Sequence, residues 1–149
     1  MEMTDIVKAR DRNSYIQFYR QGTRWHDNDI YGHINNVIYY SYFDTAVNRY
    51  LVKNCGLVIG ESRIVGYVVS SSCDYFDSCA YPEELEVGLR VNNIGTTSVE
   101  YGLGIFKLGE NQALAAGRFT HVFVDRNKGK SSKIPEEVRA GLKKLLITE

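Results

Sequence analysis

One long helical pattern between residues 36 and 53 constrains the fold of this chain most strongly. Its apolar residues recur at three- and four-residue spacing, as they do on one face of a helix. These residues are Val37, Tyr40, Phe43, Val47, Tyr50 and Leu51. Polar residues cover much of the opposite face, and Gly56 has the residue type that commonly ends a helix. The aromatic content of the apolar face predicts that this helix is largely buried.

Segments with strand-like patterns lie on both sides of this helix. Residues 15–25 are rich in aromatic side chains and predict a first strand. Four more strands are predicted at 64–74, 85–91, 98–108 and 113–125, separated by turn signals such as Asn92-Asn93-Ile94-Gly95. We read these four as a meander. The predicted fold class is α+β, with one long central helix wrapped by a curved antiparallel five-stranded sheet.

The two ends of the chain differ in character. Residues 1–13 are polar, and we expect them to be loosely ordered. Pro135 is suited to a first helical turn and opens an amphipathic helix over residues 135–147. Because neither a repeat nor a linker is present, we expect residues 1–149 to form a single domain.

Bulk properties exclude several classes of function. The 18 basic and 18 acidic residues of the 149-residue chain cancel, so no overall charge favours nucleic acid or a membrane surface as a partner. No apolar run reaches the roughly 18 residues of a transmembrane helix, and the N-terminus lacks a secretory layout. Cys55, Cys73 and Cys79 are odd in number and form no CxxC pair. Reduced thiols in a cytoplasmic protein are therefore expected.

The segment from Asp27 to Asn36 concentrates the chemically active residues. It contains two carboxylates, a glycine, a histidine and two asparagines directly before the predicted helix. A helix N-terminus presents unpaired N–H groups and a positive dipole end. A carboxylate beside it predicts a site where an oxyanion forms while an acid or nucleophile works next to it. Asp29 could also be a turn residue, and we favour a structural role for Asp27, as an acceptor for backbone N–H groups.

Together with the aromatic residues that follow it, this segment resembles the signature of a known family. The pattern Asp-x-Asp-x-x-Gly-His-Ile-Asn-Asn precedes Tyr39, Tyr40, Tyr42, Phe43 and Ala46. It is similar to hotdog-fold acyl-CoA thioesterases of the 4-hydroxybenzoyl-CoA thioesterase type, in detail over residues 24–51 and more loosely to residue 135. The resemblance implies a hotdog fold, hydrolysis of an acyl-CoA to CoA and a carboxylic acid, and no cofactor. It also implies a homodimer or homotetramer with the site at a subunit interface.

The resemblance assigns the catalytic carboxylate to Asp29, as a nucleophile or as a general base on water. The backbone N–H of Asn36 would hold the developing oxyanion. Asn35 is expected to cap the helix, whereas capping and a contact with the attacking water are balanced for the Asn36 side chain. Gly32 would permit a positive φ or a close approach of the thioester.

Several other candidates keep two interpretations. His33 could polarise a carbonyl group or tune Asp29, although we favour a hydrogen bond across a dimer that stabilises the loop. Tyr31 is bulky and would narrow the acyl pocket. Ser98 would lie beside the thioester or simply cap a turn. Arg126 and Lys128 belong to a basic segment, residues 126–133, which would bind the phosphates of CoA or remain a solvated loop.

Three alternatives compete with this interpretation of the segment. A metal site at His26, Asp27, Asp29 and His33 is disfavoured, because the spacing does not place these side chains on one helix face. An acyl-carrier-protein thioesterase would use the same carboxylate before a helix. A non-catalytic hotdog module that binds acyl-CoA would have no need of Asp29.

Overall fold

The computed structural model describes residues 3–147. The three helices are α1 (Met3–Arg10), α2 (Asn36–Asn54) and α3 (Glu136–Lys143). The strands are β1 (Gln17–Gly22), β2 (Ile64–Tyr75), β3 (Glu84–Ile94), β4 (Ser98–Lys107), β5 (Ala115–Asp125) and the two-residue β6 (Lys130–Ser131). Short 3-10 turns at Arg12–Ser14 and Trp25–Asp27 precede and follow β1.

The strands form one antiparallel sheet in the order β1-β3-β4-β5-β2. Strand β2 pairs with β5 from Ile64 opposite Asp125 to Tyr75 opposite Ala115. The predicted simple meander is therefore wrong for β2, although β3, β4 and β5 do follow one another. The reason is the segment of residues 76–83, which crosses beside the start of α2 from β2, at one edge of the sheet, to β3, the second strand from the other edge. This crossing lets the sheet curl around the helix.

Helix α2 provides the centre of the core, as its pattern predicted. The buried side chains of this helix are Tyr39, Tyr42, Phe43, Ala46, Val47, Tyr50 and Leu51. Val37 is an exception to the predicted face, because its side chain is 64% exposed. The buried stripe instead includes Tyr39 and Tyr42, whose rings pack in the core while their hydroxyls reach polar partners. Gly56 ends the helix with φ of 74°, as expected.

The N-terminal segment is more ordered than its polar composition predicts. Residues 3–10 form α1, and the N–H of Ala113 donates to the carbonyl of Arg10 at 2.8 Å. The Tyr15 hydroxyl donates to Ala9 at 2.7 Å. The Tyr15 ring fills a notch above Gly88 and Gly104, where an added Cβ would lie about 2.9 Å from ring atoms. The expectation of a loose segment over residues 1–13 is therefore wrong for residues 3–13, and residues 1–2 lie outside the described range.

The C-terminal helix is shorter than the predicted 135–147. Pro135 precedes its first residue, and α3 ends at Lys143. Beyond it the chain pairs with β3, since Val91 N–H donates to Leu145 at 2.8 Å and Ile147 N–H donates to Val91 at 3.1 Å. These backbone bonds replace the last helical turn.

The long helix against a curled five-stranded antiparallel sheet is the hotdog fold, which confirms the predicted fold class. Within residues 3–147, no helix combines the length and apolar character that a membrane span requires.

Candidate active site

Residues 27–36, which we call the site loop, close on themselves as a tight hairpin. Asp29 N–H donates to the carbonyl of His33 at 2.8 Å, and Asn35 N–H donates to that of Asp27 at 2.9 Å. Gly32 sits at the tip with φ of 81°, which explains the glycine at this position. The hairpin delivers the chain directly into the first turn of α2.

The crossing segment of residues 76–83 holds the site loop from outside. Ile34 N–H donates to the carbonyl of Cys79 at 2.8 Å. Tyr81 N–H donates to the side-chain oxygen of Asn28 at 2.9 Å. The rings of Trp25 and Tyr81 also meet edge to face, with centroids 6.0 Å apart. The loop is therefore fixed at several points relative to the sheet.

Asp27 is fully buried and anchors the start of the site loop. Its carboxylate accepts hydrogen bonds from the Tyr42 hydroxyl at 2.6 Å and from the backbone N–H and Nε of Arg24 at 2.9 and 3.1 Å. Burial alone would raise the pKa of Asp27, but the bonds from Tyr42 and Arg24 outweigh it and lower the pKa below its usual value. The backbone bond agrees with the structural role favoured from the sequence. The Tyr42 bond was not foreseen.

Asp29 is half-buried, and only one of its two carboxylate oxygens accepts hydrogen bonds from the described residues. Its Oδ1 atom accepts hydrogen bonds from the backbone N–H groups of Tyr31 at 2.9 Å and His33 at 3.4 Å. Within residues 3–147, no hydrogen bond engages Oδ2. One carboxylate oxygen therefore shapes the turn, and the other remains available for chemistry.

Helix α2 begins at the end of the site loop that carries Asp29. Asn35 is the N-cap, and its side-chain oxygen accepts a bond from Val37 N–H at 3.1 Å. Asn36 is the first helical residue, and the described part of the chain offers its N–H no acceptor. Capping is thus assigned to Asn35 alone. The free N–H of Asn36 has the position expected of an oxyanion donor.

Sequence reasoning did not include Tyr75 in the site. The hydroxyl of this tyrosine, at the end of β2, donates to the carbonyl of Asn36 at 2.8 Å. Its ring packs against Tyr39 with centroids 5.1 Å apart. Only the sheet order brings residues 36 and 75 together, so no local sequence signal could have identified this contact.

His33 and Tyr31 are exposed at the tip of the site loop. Within residues 3–147, the hydrogen bonds of His33 come from its backbone alone, and its exposed side chain is open to a neighbouring molecule. Tyr31 is 80% exposed. Tyr31 would therefore narrow an acyl pocket only if a second chain packed against it.

Three predicted substrate-binding residues lie at the far end of the molecule. Ser98 begins β4 and accepts a bond from Gly95 N–H at 2.8 Å, in a turn that also contacts α3. Arg126 and Lys128 lie between β5 and β6, where an Nη atom of Arg126 donates to the Ser62 carbonyl at 3.3 Å. Helix α2, which separates the two ends, is about 28 Å long at 1.5 Å per residue. One chain alone therefore does not bring these residues to Asp29.

No cluster of three or more histidine, cysteine or carboxylate side chains within residues 3–147 has the geometry of a metal site. The groups that the site loop offers for chemistry are a carboxylate and backbone N–H groups.

Comparison with known proteins places the chain in a family. Residues 23–142 match the family model described as the thioesterase-like superfamily. The chain belongs to this superfamily. The match does not extend to the 4-hydroxybenzoyl-CoA thioesterase type, which stays a prediction.

Solved structures show the same fold. The PA5185 protein of Pseudomonas aeruginosa is 51% identical, with 93% of this chain and 97% of that chain covered and a TM-score of 0.91. Slr0204, a 1,4-dihydroxy-2-naphthoyl-CoA thioesterase from Synechocystis, is 18% identical, with 86% and 96% covered and a TM-score of 0.76. SAV2348 from Staphylococcus aureus, solved in complex with CoA, is 16% identical, with 89% and 86% covered and a TM-score of 0.79.

Proposed function

We propose that this member of the thioesterase-like superfamily hydrolyses acyl-CoA thioesters to CoA and a carboxylic acid. The observation that carries the proposal is that the site loop holds both Asp29, whose Oδ2 is uncommitted, and the unpaired N–H of Asn36 at the start of α2. Thioesters are activated acyl groups, so a carboxylate and an oxyanion donor are sufficient for their hydrolysis.

Two reaction routes fit this arrangement. As a general base, Asp29 takes a proton from water while the hydroxide adds to the thioester carbon. As a nucleophile, Asp29 attacks the carbon itself, and water then hydrolyses the acyl-aspartyl anhydride. In both routes the Asn36 N–H and the positive end of α2 stabilise the tetrahedral oxyanion. Collapse of this intermediate expels the CoA thiolate. The thiolate takes up the proton held by Asp29 in the first route, and a proton released when water hydrolyses the anhydride in the second.

The CoA part of the substrate is supported by two relatives and by charge. Slr0204 is named as a CoA thioesterase, and SAV2348 was solved with CoA. Arg126 and Lys128 provide exposed positive charge suited to CoA phosphates. In one chain, however, these residues lie at the wrong end of α2.

A homodimer would resolve this separation. Strand β2 forms an open edge of the sheet, and its central residues Tyr67, Val68 and Val69 are exposed. Antiparallel pairing of two β2 strands would set the Ile64 end of one beside the Tyr75 end of the other. Residues 126–129 between β5 and β6, which we call the basic turn, adjoin the Ile64 end, because Arg126 N–H donates to the Arg63 carbonyl at 2.9 Å. We therefore propose that each site combines the site loop of one copy with the basic turn of the other.

The test is release of free thiol from a panel of short, long and aromatic acyl-CoAs. We expect the Asp29→Asn variant to lose a factor of about a hundred or more in kcat, because it keeps the shape but removes the base. Asp11→Asn is the matched control, since Asp11 also accepts a backbone bond, from Asn13 at 3.0 Å, but lies outside the site. Full activity in the Asp29 variant would contradict the assignment of the catalytic carboxylate.

Other outcomes identify the alternatives. Turnover of an acyl-carrier-protein substrate alone would favour the carrier-protein thioesterase. Thermal protection by CoA without turnover of either substrate would favour the binding module, because a ligand of the folded state raises the melting temperature. In that case the hydrogen bonds to Oδ1 would be the whole role of Asp29.

A further inference from the structure

Two arginines face each other across a glycine on the outer surface of the sheet. The register sets Arg90 of β3 opposite Gly102 of β4, and Gly102 opposite Arg118 of β5. Their sequence neighbours Leu89, Tyr101 and Phe119 are in the core, so these three residues point away from α2. The row places two positive charges on one face with no side chain between them.

The missing side chain at Gly102 leaves room over β4 for the Arg90 side chain, and a recess beside it is lined by Arg90, Gly102 and Arg118. Its volume is about 60 Å³, and it opens into a groove of about 350 Å³. Helix α1 forms one wall of the recess. The lining residues besides the row itself are Asp5, Lys8, Ala9, Tyr15, Asn92, Ala116 and Gly117. The site loop is not part of this lining, so the recess is separate from the proposed thioesterase site.

Arg90 is held in place, whereas Arg118 is not. The Nε of Arg90 donates to the side-chain oxygen of Asn92 at 2.8 Å, and one Nη donates to the Ser14 carbonyl at 3.3 Å. A Cβ at Gly102 would lie 2.9 Å from this Nε, so only glycine lets Arg90 lie across the strand. Arg118 makes no hydrogen bond or ion pair with any residue from 3 to 147. One guanidinium is thus preorganised, and the other is available to a ligand.

The two arginines suit one tetrahedral anion. The Arg90 Nε lies over Gly102, on the strand next to that of Arg118, so both side chains border the same recess. One phosphate group has enough oxygens to accept hydrogen bonds from two guanidinium groups. The positive side chains of Arg90 and Arg118 meet the carboxylates of Asp5 and Glu100 at the recess and its groove. Glu100 is also engaged by Asn92, which donates to it at 3.0 Å.

We propose that this recess, between Arg90 and Arg118, binds the phosphate group of a small ligand. The inference goes beyond the proposed thioesterase function and does not depend on it. The phosphate could come from free inorganic phosphate or pyrophosphate, or from the phosphates of a CoA molecule. Because α1 forms a wall of the recess, the bound anion also ties α1 to the sheet.

The first test is calorimetric titration of the full chain with inorganic pyrophosphate at low ionic strength. We expect Arg118→Gln to weaken binding by at least about tenfold, because it removes one of two charge-assisted contacts. Glu100→Gln should tighten binding by removing a repelling charge from the groove. Lys53→Gln is the matched control, since it removes the same charge from an exposed position on α2. Unchanged binding in the Arg118 variant, or an equal loss in the control, would overturn the proposal.

A second readout distinguishes the recess from general attraction of anions. Pyrophosphate should slow amide hydrogen exchange in residues 5–10 of the wild type and have no such effect in Arg118→Gln. Unchanged exchange in the wild type would overturn the assignment to this recess. If CoA displaces pyrophosphate, the result supports a site that binds the phosphates of CoA. If both ligands bind at once, the result supports a site that binds free phosphate or pyrophosphate. Neither result depends on thioester hydrolysis, so this proposal and the proposed function can fail separately.

Discussion

Tyr75 joins the edge of the sheet to the first residue of α2 through one hydroxyl. Its bond to the Asn36 carbonyl fixes the residue whose N–H would hold the oxyanion. We expect Tyr75→Phe to lower kcat by up to about tenfold, since a hydrogen bond contributes on the order of 1 kcal/mol. KM should change little, because the substrate contacts remain. Steady-state kinetics on the best acyl-CoA measures both constants.

Tyr19→Phe is the matched control for this prediction. Tyr19 lies on β1, outside the site loop and the β2 edge, and its hydroxyl makes no hydrogen bond with residues 3–147. A lower melting temperature of Tyr75→Phe with kcat unchanged would show that Tyr75 serves stability alone. Faster amide exchange at Asn36 in this variant would support the positioning role even if the acyl substrate proved to be different.

His121 makes the stability of the protein sensitive to acid. The side chain is 1% exposed on β5, and the Tyr101 hydroxyl lies 3.1 Å from its Nδ1. Burial lowers the pKa of His121 from 6.5 to about 4. Between these two values the unfolded chain binds a proton that the folded chain does not, so the free energy of unfolding decreases as pH falls from 6.5 to 4. The full effect is on the order of 3 kcal/mol.

Denaturant unfolding at pH 7.5 and at pH 5 tests this expectation. His121→Gln keeps a polar partner for Tyr101 but does not titrate, so its stability should differ less between the two conditions. His26→Gln removes an exposed histidine and should keep the wild-type difference. An undiminished pH dependence in the His121 variant would assign the acid sensitivity to other groups.

At the scale of elements, the sequence predicted what depends on local periodicity. The length of α2, its end at Gly56 and the positions of β1 to β5 follow from spacing and turn residues. The place of β2 at the far edge does not, because strand order depends on contacts distant in sequence. Helix α1 was missed for a similar reason. It is held by bonds from residues distant in sequence or outside the helix, namely from Ala113 to the Arg10 carbonyl and from Tyr15 to the Ala9 carbonyl.

In the candidate site, too, local residue chemistry predicts some features, whereas contacts distant in sequence determine the others. The positions of Gly32 at the turn and Asn35 at the cap follow from residue chemistry. The anchors of the site loop come from elsewhere in the chain, namely Tyr42, Tyr75 and Cys79. A tyrosine on a helix or strand carries no signal that its hydroxyl will reach a particular carbonyl.

At the scale of the whole molecule, a single chain keeps the site loop and the basic turn apart. If β2 pairs with its copy, a charged side chain at the centre of that edge should prevent assembly. We expect Val69→Lys to shift the protein from a dimer to the 17.0 kDa chain in analytical ultracentrifugation, with loss of acyl-CoA turnover. Leu108→Lys, an exposed apolar position away from β2, should leave the mass unchanged. A Val69 variant that stays dimeric would place the interface elsewhere.

A mixture of two inactive variants tests whether the copies share their sites. In a hybrid of an Asp29→Asn chain with an Arg126→Gln, Lys128→Gln chain, one site combines an intact site loop with an intact basic turn. The other site then carries both defects. We expect refolded mixtures to recover turnover that neither variant has alone, because the intact halves meet across the dimer. If each site were built from one chain, every site in the hybrid would carry one defect, and the mixture would be no more active than its components.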